Sequence, residues 1–157
     1  MTSGSRRSGR ARAAAAVVAG AAVVGTLDAL DAIVFFGRRG ATPRRIFQSI
    51  AAGVLGRAAF DGDRSAEWLG LALHYLIALA IVLVFFLVSR RVPALTRRPL
   101  VWGIAYGIAV YFTMNDAVIP LSAAVQAPFS LPVFVNGLLI HMFGVGVPAA
   151  LFARLAA

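Results

Sequence analysis

The sequence has no cysteine and no lysine, and only six acidic residues in 157. Without cysteine there is no disulfide, no thiolate metal site and no thiol nucleophile. Arginine alone supplies the 15 basic residues, for a net charge of +9. Arginine-only basicity beside abundant alanine reads as the product of a GC-rich bacterial genome. No nucleic-acid motif and no interleaving of aromatic and basic residues accompanies this charge, so no nucleic-acid partner is expected. The arginines cluster beside apolar runs, as charge does when it flanks a membrane. Charged residues make up 13% of the chain and hydrophobic ones 61%. A soluble domain of this length could not hide that much apolar surface, whereas a bilayer can take it.

Four apolar stretches follow a polar start: residues 13–36, 68–89, 100–121 and 131–155. Each reaches the roughly 20 residues that a helix needs to cross about 30 Å of hydrocarbon. In lipid the backbone must satisfy its own hydrogen bonds, so each stretch is expected to be a helix. The expected fold is all-α, a membrane-embedded four-helix bundle in the lipid bilayer. Residues 1–12, with Arg6, Arg7, Arg10 and Arg12, read as a disordered basic tail, and 13–157 as the transmembrane domain. The basic start and Ala19-Gly20-Ala21 have the look of a signal peptide. The apolar run continues to Phe36, however, so a retained first span is expected, with cleavage as the alternative.

The segment between the first two long stretches is different. Thr42 suits an N-cap and Pro43 the first helical position. Ile46, Phe47, Ile50, Val54, Leu55 and Ala58 then recur at helical spacing, backed by Ser49, Ala52, Gly53 and Gly56. A helix over residues 43–60 is too short to span comfortably, which predicts an interfacial or re-entrant helix. Trp68 and Trp102 fall at span ends, where indoles anchor. Ser130 with Pro132 marks a helix start, and Pro148 predicts a kink in the fourth span.

Arginine counts predict which way the chain faces. The tail carries four, the second linker four (Arg90, Arg91, Arg97 and Arg98), the C-terminal end one (Arg154) and the third linker none. With both termini cytoplasmic in a bacterial inner membrane, these nine arginines lie inside. Arg38, Arg39, Arg44, Arg45, Arg57 and Arg64 of the first linker run against this arrangement.

The residues that stand out are polar ones inside apolar runs: Asp28 and Asp31, His74, Asn115 and Asp116, Asn136 and His141. Such groups cost several kcal/mol in hydrocarbon unless paired or wetted, so they are expected to face the bundle interior. At about 1.5 Å per residue, most lie roughly 7–12 Å from one membrane face, and His141 about 15 Å in. Asp28 and Asp31 share a face with Ala21, Gly25 and Ala32. His74 is in phase with Gly70 and Ala78, Asp116 with Ala105, Ala109 and Thr113, and His141 with Gly137, Gly144 and Pro148. Small residues mark close helix contact in membranes. The candidate site is therefore Asp28, Asp31, His74, Asn115, Asp116 and His141, while Asn136 points elsewhere on its helix. Gly103 and Gly107 lie opposite Asp116, as a second packing seam or a homo-oligomer face.

Asp28, Asp31, His74, Asp116 and His141 would suit a divalent metal ion such as zinc or manganese. They would equally suit a proton or ion pathway, or simple polar links between helices. No HExxH, Walker, GxSxG or EF-hand pattern occurs, and no serine stands near the cluster, so a non-enzymatic role is expected over an enzymatic one. The remaining readings are an ion-coupled transporter, a membrane metal protein or enzyme, and an assembly component.

Gly25-Thr26-Leu27-Asp28, the Thr42-Pro43-Arg44-Arg45-Ile46 helix start, an early His in the second span, a Gly-rich third span and Gly137…His141 in the fourth resemble small bacterial membrane proteins, distantly YagU-like. The resemblance covers about residues 20–150. It implies a four-helix inner-membrane protein and no established activity.

Overall fold

Helix α1 (Ser3–Gly37) starts well before the apolar run does. It takes in most of the segment expected to be a disordered tail. Alanine and arginine are good helix formers and no proline interrupts them, so the apolar helix extends outward in register. It is followed by α2 (Pro43–Leu55), α3 (Ser65–Ser89), the one-turn α4 (Ala94–Arg97), α5 (Pro99–Leu121) and α6 (Leu131–Leu155). The computed structural model describes residues 3–61 and 64–156, all helix, turn or loop. Helices α1, α3, α5 and α6 are long and apolar enough to cross a membrane. They coincide with the four expected spans, and the chain is a multi-pass membrane protein.

Thr42 caps α2 as expected, its Oγ1 accepting from the Arg45 N–H at 3.2 Å. The helix stops sooner than residue 60. Gly56 adopts a positive φ of 59°, open to glycine, and its N–H turns back to the Ala52 carbonyl. A 3₁₀ turn, Gly56–Phe60, completes the segment. At about 1.5 Å per residue α2 is roughly 20 Å long, short of a crossing. It buries Ile46 and Gln48 together with two alanines. Ala51 and Ala52 form a minor core with Ala59 and Ala66, while Val54 and Leu55 stay exposed. The Phe47 carbonyl lies against Gly70 of α3 where a β-carbon would not fit. From the other side, the Ala123 N–H donates to the Gly53 carbonyl at 3.0 Å. Helix α2 is thus held between α3 and the linker that follows α5.

The main core joins α1, α3, α5 and α6 through Val24, Val82, Phe85, Val110 and Val145, with alanines filling the rest. The tightest seam lies between α5 and α6. A β-carbon on Gly107 would meet the His141 carbonyl and, at 2.7 Å, Met142 Cα. One on Gly103 would meet Val147 Cα at 2.8 Å. Backbones approach this closely in membranes only where side chains are missing. Gly103 and Gly107 therefore form the intramolecular seam. They are not the free homo-oligomer face that was one reading of their position.

Both α5 and α6 are interrupted by a π-helical segment, Met114–Val118 and His141–Gly146. Each precedes a proline, Pro120 and Pro148, within the next helical turn. Proline has no N–H for the carbonyl four residues back, and its ring crowds that carbonyl, so the helix widens there. At Pro148, where a kink is expected, the structure shows this π-helical segment. The matching feature before Pro120 was not foreseen.

Candidate functional site

Gly25 lets α1 and α3 meet, because a β-carbon there would fall 2.7 Å from the Tyr75 ring. Beside this contact His74, buried, donates from Nε2–H to the Gly25 carbonyl at 2.7 Å. A carbonyl can only accept, so this bond sets the tautomer. The other nitrogen, Nδ1, faces Asp28 Oδ2 at 4.0 Å, an ion-pair rather than a hydrogen-bond distance. One residue along each helix, Thr26 Oγ1 and the Tyr75 hydroxyl are 3.0 Å apart. The electrostatic neighbours of the Asp28 carboxylate are His141, His74 and Asp31.

Asp31, one turn further along α1, turns toward α6. Asn136 Nδ2 donates to its Oδ2 at 2.7 Å. This overturns the expectation that Asn136 points away. On its helix Asn136 does stand off the face of Gly137 and His141, which meets Tyr111 of α5. Its own face meets α1, so standing off that face does not exclude it from the polar group. His141 donates from Nδ1–H to the Gly137 carbonyl of its own helix at 2.8 Å, which leaves Nε2 as an acceptor. Its ring meets Tyr111 edge-on, with centroids 5.4 Å apart.

Asn115 and Asp116 do not join this group. Both are exposed. Asn115 donates to the Tyr111 carbonyl of its own helix at 2.9 Å. Once Gly103 and Gly107 face α6, Asp116 lies half a turn round on α5 and looks outward. The expected single pocket is in fact a string of pairs centred on α1: His74 with Asp28 on the α3 side, and Asn136 with Asp31 on the α6 side. Among the described residues no three His, Asp or Glu side chains group closely enough to hold one metal ion. Asp28, Asp31, His74, Asp116 and His141 thus do not make a shared ligand set.

Thr26, Tyr75 and Tyr111 contribute contacts that were not foreseen. Tyr75 adjoins His74 and Thr26 lies two residues before Asp28, and polar neighbours inside an apolar run were the available signal. Compared with protein-family models, curated proteins and solved structures, the chain matches none.

Proposed function

We propose that this protein is a bacterial plasma-membrane protein with both termini in the cytoplasm, and that its polar string holds a proton for ion- or proton-coupled transport. The carrying observation is the orientation of His74. Its Nε2–H is committed to the Gly25 carbonyl, so an added proton goes to Nδ1, facing Asp28 at 4.0 Å. The pair can hold one proton as imidazolium beside carboxylate or as imidazole beside carboxylic acid. His141, with Nε2 free to accept, lies within electrostatic range of the same carboxylate. The distribution of arginine supports the orientation, and the motifs of residues 25–28 and 42–46 support kinship with YagU-like proteins.

A second reading has its own observation. The Asn136–Asp31 and His74–Gly25 bonds each join two helices, as polar links that only hold a bundle together would. Reconstitution separates the two. Liposomes carrying the full chain and an internal pH dye, under a potassium diffusion potential, should acidify faster than empty ones. His74→Gln and Asp28→Asn should abolish the difference. Wild-type liposomes no more permeable to protons than empty ones would leave only the linking role.

A further inference from the structure

At the end of the bundle away from the polar string, α1, α3 and the end of α6 leave a groove of about 1670 Å³ between them. This exceeds the roughly 300–1,000 Å³ of small-molecule pockets. Its two ends differ sharply in chemistry. Arg10 and Arg12 of α1, Arg90 and Arg91 just past α3, and Arg154 of α6 form the rim. Below them the walls are aliphatic and aromatic, with Val17 and Val18 on one side, Leu79, Leu83 and Phe86 on another, and Leu151 behind. Among the described residues no Asp or Glu lines it.

The dimensions follow from the helices. From Arg10 to Val18 on α1, and from Arg90 to Leu79 on α3, the groove descends roughly 12–16 Å at 1.5 Å per residue. That is about half of a 30 Å hydrocarbon core, the depth of one leaflet. A ligand filling it needs concentrated negative charge at one end and an apolar body one leaflet long. We infer that this groove is a binding site for an anionic phospholipid, with its phosphate among Arg10, Arg12, Arg90, Arg91 and Arg154 and its acyl chains along α1 and α3.

Selectivity must come from the rim. An acyl chain gains nothing by leaving bulk lipid for an apolar wall, since lipid tails are as apolar as leucine. Guanidinium groups can pair with phosphate oxygens in bidentate fashion. A basic side chain near an anionic headgroup contributes about a fivefold preference.

The test is native mass spectrometry of the full chain released from neutral detergent, with phosphatidylglycerol and phosphatidylcholine of equal chain length offered together. The wild type should retain phosphatidylglycerol over phosphatidylcholine by about tenfold or more, and millimolar inorganic phosphate should not displace it. Arg91→Gln/Arg154→Gln should bring the two lipids to near parity. Arg10→Gln/Arg12→Gln removes two rim charges from a different helix and should do the same, in case the first variant fails to fold. Arg38→Gln/Arg39→Gln lowers the net charge equally at the opposite end and should leave the preference intact. The site is overturned by equal retention in the wild type, by displacement with phosphate alone, or by rim and control variants losing the preference alike.

Discussion

Asn136 and Asp31 stand 105 residues apart in the chain and are joined by a 2.7 Å hydrogen bond between α6 and α1. The acceptor is a carboxylate inside an apolar span, and the amide is its hydrogen-bond partner from another helix. Asn136→Ala leaves that carboxylate without this donor and should destabilise the bundle by about 1–2 kcal/mol. Asn115→Ala removes a bond made within its own helix at an exposed position and should cost under about 0.5 kcal/mol. Unfolding of both variants in the same detergent measures the difference. Equal losses would mean that the bond between helices adds nothing.

Gly107 should be the least replaceable glycine of α5. Alanine there forces backbone against backbone at His141 and Met142, and neither a rotamer change nor a flexible side-chain end can relieve it. Overpacking of this kind should cost about 3 kcal/mol or more, or prevent assembly. Gly53→Ala is the matched control. A β-carbon there comes no nearer than 3.8 Å, to Ser122 Oγ, and α2 gains helix propensity. That variant should be neutral or up to about 1 kcal/mol more stable. Yield of folded protein and melting temperature report both results.

Helix α2 should begin and end on one side of the membrane. The Ala123–Gly53 hydrogen bond ties it to the linker after α5. The chain has no native cysteine, so single replacements at Arg39, Arg64, Ser122 and Ser8 can be labelled in sealed cells without background. Arg39→Cys, Arg64→Cys and Ser122→Cys should share one sidedness and Ser8→Cys the other. Label reaching Arg39→Cys and Arg64→Cys from opposite sides would make α2 a fifth span. The proposed orientation further requires that Ser122→Cys be the one reached from outside.

Much of this protein could be read from the sequence because the bilayer imposes a one-dimensional constraint. Each crossing needs about 20 apolar residues with internal hydrogen bonding, and that requirement is met or failed locally. The four spans follow from it, and the Thr42-Pro43 start of α2 follows from the equally local chemistry of helix capping. Depth is likewise a matter of counting residues from a membrane face. His74 therefore comes level with Asp28, and Asn136 with Asp31, without knowledge of packing.

Rotation about each helix axis is not local, and the tertiary structure alone decided it. Helix α5 offered two candidate inner faces, one with Gly103 and Gly107 and one with Asp116. The glycine face went inward because α6 could approach its bare backbone. That choice alone carried Asn115 and Asp116 out of the site. In α6 the face of Gly137 and His141 meets Tyr111 of α5 while the face of Asn136 meets α1, and so the polar residue that stood apart on its helix joined the string. Apolar length and depth are written into the chain residue by residue. Which polar groups meet depends on how closely two backbones can pack, and that is a property of both helices together.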